Sequence, residues 1–253
     1  MGRDLVFTSL VGSHNYNLDD EYSDKDYKVF VLPTFGDLYE RNEYKHAYQQ
    51  NGCDYDVHDV RKLVSLLWKA NVNFIEGLFS SEIRLPSNQD HYQLIQRDVE
   101  ALLAMREEIA SMNVSYLYRA SVGMFFTKMK QFERDIQKEK ETNEDELERD
   151  IRKHALVAYR ILDFLERYEQ RGFSDFAGAM RYNERERSEM LRIKHEPYHY
   201  QELTSMLTDK KKRVDQYEDI YLRQKPNEKT KKKVEETIYA IVYAYIKGQL
   251  TSK

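Results

Sequence analysis

The sequence predicts an α+β protein, with a small mixed sheet near the N-terminus followed by an α-helical bundle. Three observations carry this. The short apolar runs that read as strands, Leu5 to Val11 and Tyr27 to Leu32 among them, lie in the first quarter of the chain. Asn51-Gly52 lies between two of them, and Asn-Gly between Tyr- and Val-rich runs is a strong hairpin signal because both central residues take positive φ. From Val60 onward the apolar residues recur at helical spacing instead, beginning with Val60, Leu63, Val64, Leu67 and Trp68.

Leu5 to Val11 is a mostly apolar run ended by Gly12-Ser13 and reads as a buried strand. His14 to Leu18 follows as a short helix, and the polar segment Asp19 to Ser23 as a loop. Tyr27 to Leu32 is a second strand, stopped by Pro33. Tyr44 to Gln50 and Cys53 to Asp59 form the hairpin. Side chains alternate along an extended chain, so Asp54, Asp56 and His58 share one face of its second strand, and Tyr55 and Val57 the other.

The helical part begins with Val60 to Trp68, and Asn71 to Phe79 reads as a turn followed by a short helix. Pro86-Ser87-Asn88 marks the start of a helix running to about Met112. Val114 to about Lys140 is another, and its charged tail, 138–149, reads as an exposed turn. Asp145 to Arg171 ends at Gly172, a C-cap signal. One or two shorter helices occupy Ser174 to Lys194, and Pro197 breaks the pattern. Helices over Tyr200–Leu222 and Thr230–Leu250 complete it, separated by Lys225-Pro226-Asn227. The boundary between the sheet-bearing part and the helical remainder is expected near residue 86, dividing the chain into 1–86 and 87–253.

A chain of 253 residues suffices for one large domain or two small ones. Charged residues make up 33% and hydrophobic ones 41%, with 20 Tyr and 11 Phe, which provides a core and argues against disorder. The net charge of -4 exerts no global pull toward nucleic acid, so any such contact needs a local basic patch. The single Cys53 rules out an intrachain disulfide and suits a reducing compartment. No signal-peptide pattern opens the sequence and no apolar run has the length to span a bilayer. A cytoplasmic protein without membrane attachment is the expectation.

The stretch from Val11 to Asp59 concentrates the chemistry-bearing residues. A Gly-Ser turn opening a helix, here Gly12-Ser13, offers backbone N–H groups and a hydroxyl to phosphates. Ser23-Asp24-Lys25-Asp26 leads into the second strand, and two carboxylates two residues apart on an extended chain point to the same side. Asp54 or Asp56 on the hairpin adds a third. Such a set supplies hard oxygen ligands for Mg²⁺, and two such ions clamp an in-line phosphoryl displacement at its attacking and leaving oxygens. Singly, each feature has a plainer explanation, because Gly-Ser is commonly just a turn and acidic pairs before strands are commonly solvated. The order of the parts favours the catalytic reading.

Gly12-Ser13, then Ser23-Asp24-Lys25-Asp26-Tyr27 leading into Val29-Phe30-Val31, resembles the signature of DNA polymerase beta-type nucleotidyltransferases. More narrowly, the chain is similar to the nucleotidyltransferases associated with RNA repair operons of bacteria and phages. The likeness continues through Asp54 to Lys62, Lys69-Ala70-Asn71-Val72-Asn73, Glu76-Gly77-Leu78-Phe79, Lys153-His154, Tyr159 to Leu162 and Leu191 to Lys194, so it covers nearly the whole chain. It departs at Asn15-Tyr16-Asn17, where the superfamily often has Gly, at Lys25, usually apolar, and at Lys28, often Gly in the narrower family.

The resemblance implies a polymerase-beta-like nucleotidyltransferase domain over 1–86 and a helical domain over 87–253 that closes the nucleotide cleft. The reaction implied is transfer of a nucleoside monophosphate from an NTP to an acceptor hydroxyl, an RNA end by the family name, with release of pyrophosphate. Gly12 and Ser13 would hold the triphosphate. Asp24 and Asp26 would bind Mg²⁺, or Mn²⁺ in its place, and a third carboxylate would bind the metal that activates the acceptor. Counting back from Arg61-Lys62 favours Asp54 for that position, while an Asp followed by an apolar residue favours Asp56. Lys153, Val157 and Arg160 fall on one helix face, and Lys153 and Arg160 would grip phosphates; the plainer reading is a solvated face. Two alternatives stand beside an RNA acceptor. One is nucleotidylation of a protein, as minimal nucleotidyltransferase antitoxins perform. The other is a nucleotide- or RNA-binding module without turnover.

His58 and His154 are expected to be structural. Lys210-Lys211-Lys212-Arg213 and Lys229 to Lys233 have acidic neighbours and read as solvated helix faces rather than RNA contacts. Tyr239, Val242, Tyr243 and Ile246 lie at helical spacing and read as core. Cys53 has no Cys or His partner at zinc spacing.

Overall fold

The computed structural model describes residues 2–142 and 145–251. The chain opens with β1 (Leu5–Val11), α1 (Ser13–Tyr16), β2 (Lys25–Val31), α2 (Phe35–Tyr39) and the hairpin β3 (Lys45–Gln50) and β4 (Cys53–Asp59). There follow α3 (Lys62–Trp68), α4 (Val72–Leu78), the short β5 (Ile83–Arg84), α5 (Asp90–Ala104) and α6 (Arg106–Ser111). The long helices α7 (Val114–Thr142) and α8 (Asp145–Gln170) lead to α9 (Phe176–Met180), α10 (Glu184–His195), α11 (Tyr200–Asp215) and α12 (Glu218–Leu222), and α13 (Glu228–Thr251) is last. The fold is therefore α+β, a small mixed sheet followed by helices.

The five strands are ordered β3-β4-β2-β1-β5. β2 runs antiparallel to β1 and parallel to β4, while β3 runs antiparallel to β4. The hairpin makes the parallel pairing possible. The chain leaves β2 at Pro33, crosses through α2, runs out along β3 and returns along β4. The return is made at Asn51-Gly52, with φ of 52° and 72°, the two positive values a tight hairpin turn requires. Thr34 caps α2 in a capping box with Asp37. Asp37 also takes Arg3 at 2.7 Å, which ties this crossover to the start of the chain.

The even-numbered residues of β2 and β4 form one face of the sheet. Phe30 meets Phe7 at 4.7 Å between ring centroids, and His58 meets Phe74 of α4 at 5.0 Å. On the other face Val29, Val31 and Val57 pack with Leu5, Tyr44 and Tyr55. Tyr27, Tyr55 and Tyr48 are in register across β2, β4 and β3 and stack at 5.3 and 4.8 Å, a cross-strand aromatic ladder.

The chain divides into two compact units, one of Met1–Asn113 with Pro226–Lys253 and one of Val114–Lys225. The expected boundary at 86 falls inside the first. There α5 packs on α13 and lies over the start of β1, where His91 Nε2 is 2.9 Å from the Leu5 carbonyl. The Tyr245 hydroxyl of α13 donates to Asp4 at 2.7 Å. Helical periodicity shows that a helix has an apolar face but not which element covers it, so the last helix could not be assigned from sequence to the first strand.

Local differences have local causes. The helix expected from Pro86 to about Met112 is interrupted at Met105, whose ψ of 6° leaves the helical region. The helix expected over Tyr200–Leu222 breaks after Asp215. The charged stretch 138–149, expected as an exposed turn, is helical where it is described, continuing α7 to Thr142 and opening α8 at Asp145, and residues 143 and 144 lie outside the described residues. Tyr239 and Tyr243, expected in the core, are 69% and 54% exposed; α13 buries Val234, Ile238, Ile241 and Tyr245, the stripe next to theirs. Among the described residues no helix is long and apolar enough to cross a membrane.

In the second unit α7 and α8 pack against each other, and Phe164, Tyr168 and Phe176 form a buried aromatic cluster with centroids 5.0 to 5.6 Å apart. Lys210, read from sequence as part of a solvated basic run, is 2% exposed and ion-pairs with Asp163 at 2.7 Å and with Glu166. The Tyr182 hydroxyl donates to the second oxygen of Asp163 at 2.9 Å. Lys210→Ala strips two carboxylates of their buried ammonium and is expected to cost about 3–5 kcal/mol in urea unfolding. A loss below about 1 kcal/mol would mark these pairs as no stronger than surface ones.

Candidate active site

The sheet register brings the sequence motifs into one row. Val11 pairs with Asp26 across β1 and β2, Asp26 pairs with Asp54 across β2 and β4, and Gln49 lies beyond Asp54 on β3. Directly paired residues project to the same face, with strands about 4.8 Å apart. Asp26 and Asp54 are therefore neighbours by backbone geometry. Gly12 follows Val11 and so reaches the same point. A Cβ on Gly12 would lie 2.7 Å from Asp26 Oδ2, and its φ of 73° and ψ of −151° are open essentially to glycine alone. Glycine is required there twice over, by its dihedrals and by the carboxylate pressed against it.

Asp24 stands exposed one residue before β2. The loop that delivers it is a turn stapled by its own side chains. Ser23 Oγ donates to Asp20 Oδ1 at 2.9 Å, and the Asp20 and Tyr22 amides donate to Ser23 Oγ and Asp20 Oδ1. His14 braces it from α1, with Nε2 3.2 Å from the Ser23 carbonyl and Nδ1 3.3 Å from Asp19. Ser23 thus builds the turn, a role its place in the motif did not disclose.

Asp54 and Asp56 share a face, as expected, but differ in their surroundings. Asp56 is paired in register with Lys28, whose ammonium donates to it at 3.0 Å. His58 Nε2 lies 2.7 Å from the same oxygen, though its N–H points off the line of contact, so the attraction is more one of charge than of an aligned hydrogen bond. Burial opposes the charge on Asp56, but His58 and Lys28 outweigh it and hold the carboxyl below its ordinary value of 3.8. Burial lowers His58 below 6.5 against the pull of Asp56. Lys28 is 8% exposed and lies over the Phe74 ring at 4.3 Å. Asp56, Lys28 and His58 form a partly buried cluster, and His58, expected as a satisfied structural residue, has neither ring nitrogen in an aligned hydrogen bond.

Glu76 is the residue that motif reading passed over as a site residue. It is 3% exposed in α4, and its Oε2 accepts the Gly12 N–H at 3.4 Å. The Glu76 carbonyl accepts from Asn15 Nδ2 at 3.1 Å, and Asn15 Oδ1 accepts from the Ser81 amide at 3.1 Å. The available signal was a single carboxylate inside the otherwise apolar run Phe74-Ile75-Glu76-Gly77-Leu78-Phe79.

Lys153 and Arg160 belong to α8 in the second unit. Lys128 of α7 joins them there: burial lowers its ammonium, and Lys153 and Arg160 push it further down. His154 lies 3.4 Å from Asp135 of α7, a helix-to-helix contact of the kind expected for it. Lys128 could not be grouped with the other two from sequence, because the packing of two helices brings it near them.

Among the described residues no three or more His, Cys, Asp or Glu side chains stand together closely enough to hold a metal ion. By backbone register Asp26 and Asp54 are neighbours, with Asp24 at the head of the strand and Glu76 at the Gly12 amide. Sequence comparison finds no protein-family model and no curated protein that matches this chain.

Two outcomes follow from this geometry. Gly12→Ala is expected to destabilise the fold by about 1–3 kcal/mol in chemical denaturation, the cost of an unsuitable backbone conformation; an unchanged midpoint would show that the turn can relax. His58 and Asp56 both have folded-state values below their ordinary ones, so each contributes stability that is present above that ordinary value and is lost as pH falls. Stability is expected to decline first as pH drops below 6.5 and again below 3.8, and His58→Gln should lessen the first decline in a series of pH-dependent unfolding curves, the remainder coming from His154, which burial also lowers.

Proposed function

We propose that the protein is a metal-dependent nucleotidyltransferase that moves a nucleoside monophosphate from an NTP to an acceptor hydroxyl and releases pyrophosphate. The observation that carries this reading is the in-register pairing of Asp26 with Asp54 beside Gly12. Like charges directly opposite each other on adjacent strands are destabilising, and such a pair beside a glycine turn suits a cation and a phosphate. The motif resemblance supports the same reading.

In this scheme Asp24, Asp26 and Asp54 are the oxygen ligands, and their hard donors fit Mg²⁺ or Mn²⁺. The metal, when bound, neutralises phosphate charge and lowers the cost of deprotonating the acceptor hydroxyl. Gly12 leaves the space in which Asp26 stands, and Ser13 offers its hydroxyl to a phosphate oxygen. Asp54 lies on β4 beside Asp26 and takes the acceptor side. Asp56, neutralised by the Lys28 ammonium and in contact with the His58 ring, keeps β4 in place and is not a ligand. Lys153, Arg160 and Lys128 are the second unit's cations suited to phosphate oxygens. The acceptor we propose is an RNA end, and the setting is the cytoplasm.

Incubation with each α-³²P-labelled NTP and Mg²⁺, in the presence of total RNA and of cell lysate, tests this. Wild type is expected to label RNA, while Asp24→Ala/Asp26→Ala and Asp54→Ala lose detectable transfer. Asp56→Asn is expected to keep activity to within about tenfold, a change of about 1.4 kcal/mol in the barrier. Label in a protein band would move the acceptor from RNA to protein. No label with any NTP from folded wild type would leave a binding module in place of an enzyme. Loss of transfer in Asp56→Asn with Asp54→Ala active would exchange their roles.

A further inference from the structure

We propose that Glu76 is a positioning residue for the Gly12–Ser13 turn, holding the Gly12 peptide in the conformation that keeps this backbone against Asp26. The proposal rests on the nucleotidyl-transfer reading for its catalytic consequence. Its structural basis is independent of that reading.

Burying a carboxylate inside an apolar helix is costly unless donors compensate it. Glu76 is 3% exposed, and one donor it receives is the Gly12 N–H, at 3.4 Å. Gly12 follows β1 and its carbonyl opens α1, accepting from the amides of Asn15 at 3.0 Å and Tyr16 at 3.2 Å. Its own φ and ψ lie in a region that costs about 1–3 kcal/mol to hold unless the surroundings impose it.

Those surroundings come from Glu76 at two points. The carboxylate takes the N–H ahead of Ser13, and the main-chain carbonyl takes the side chain of Asn15 behind it, at 3.1 Å. One residue of α4 therefore holds both ends of the segment that carries Ser13. Asn15, 1% exposed, has no room to swing away. Gly12 lies between two carboxylates, with Asp26 against its Cα and Glu76 at its nitrogen. Turning that peptide would move Ser13 relative to Asp26. The Asp56, Lys28 and His58 cluster has no such link to the turn.

The test compares wild type, Glu76→Gln and Glu76→Ala in the full ¹⁵N-labelled chain, at a temperature where thermal melts show each folded. Two quantities are read: hydrogen exchange of the Gly12 amide, and kcat and KM for an NTP with Mg²⁺. Glu76→Ala is expected to speed Gly12 exchange at least tenfold and to lower kcat by about 10- to 100-fold, the usual effect of losing a group that orients a metal-site residue. Glu76→Gln retains an acceptor oxygen and should restore most of both. Should Glu76→Ala not fold, Glu76→Asp, shorter by one methylene, must show the same acceleration. Unchanged Gly12 exchange in the folded variant overturns the proposal, as does kcat equal to that of an active wild type. Absence of NTP turnover in wild type with faster Gly12 exchange in Glu76→Ala would sink the nucleotidyl-transfer reading and leave the positioning of Gly12 supported.

Discussion

The parallel pairing of β2 with β4 is the constraint on which the candidate site depends. It sets Asp26 beside Asp54 and Lys28 beside Asp56. Because side chains alternate, a slip of one residue would send every one of these groups to the opposite face. The register is held by apolar packing on both faces. Val29 and Val57 pack on one side, and Phe30, His58 and Phe74 on the other. The stack of Tyr27, Tyr55 and Tyr48 locks the same row of pairs from the face opposite the carboxylates. The arrangement of charges is thus a consequence of hydrophobic and aromatic packing two residues away.

Along β4 the two aspartates are separated by function of surroundings rather than by direction. Asp56 lies further into the sheet, where the Lys28 ammonium compensates its charge and the His58 ring lies against it. Asp54 lies at the open end of the strand beside Asp26. A carboxylate with fixed cationic partners stabilises the fold, and one placed next to another carboxylate is the better partner for an external cation. Lys28 has the same logic. This buried lysine pairs its ammonium with Asp56 and sets it over the Phe74 ring.

The first unit is closed by elements far apart in sequence. Tyr245 near the C-terminal end reaches Asp4 near the N-terminal end, and α5 lies over the start of β1. The second unit has its own core and its own buried ions. Lys210, Asp163, Glu166 and Tyr182 form a polar network beside the aromatic cluster of Phe164, Tyr168 and Phe176. Removing one member of such a network leaves the others charged and desolvated.

Strands β1 to β4, the Asn51-Gly52 hairpin and the C-cap at Gly172 were legible in the sequence, because each is decided by residues within a few positions of one another, whereas the two-residue β5 was not. So was the shared face of Asp54, Asp56 and His58. Four things were decided only by tertiary structure. The different surroundings of Asp54 and Asp56 needed the register with β2, and the contact of Glu76 with the Gly12 amide needed the docking of α4. Lys210 reads as a solvated lysine until Asp163 and Glu166 are packed against it. Tyr239 and Tyr243 read as core until α5 is seen to take the neighbouring stripe of α13. Local periodicity and turn chemistry determine which elements form and which residues share a face. Which face is covered, and which charges meet, depends on contacts between residues distant in the chain, and no spacing along one segment carries that information.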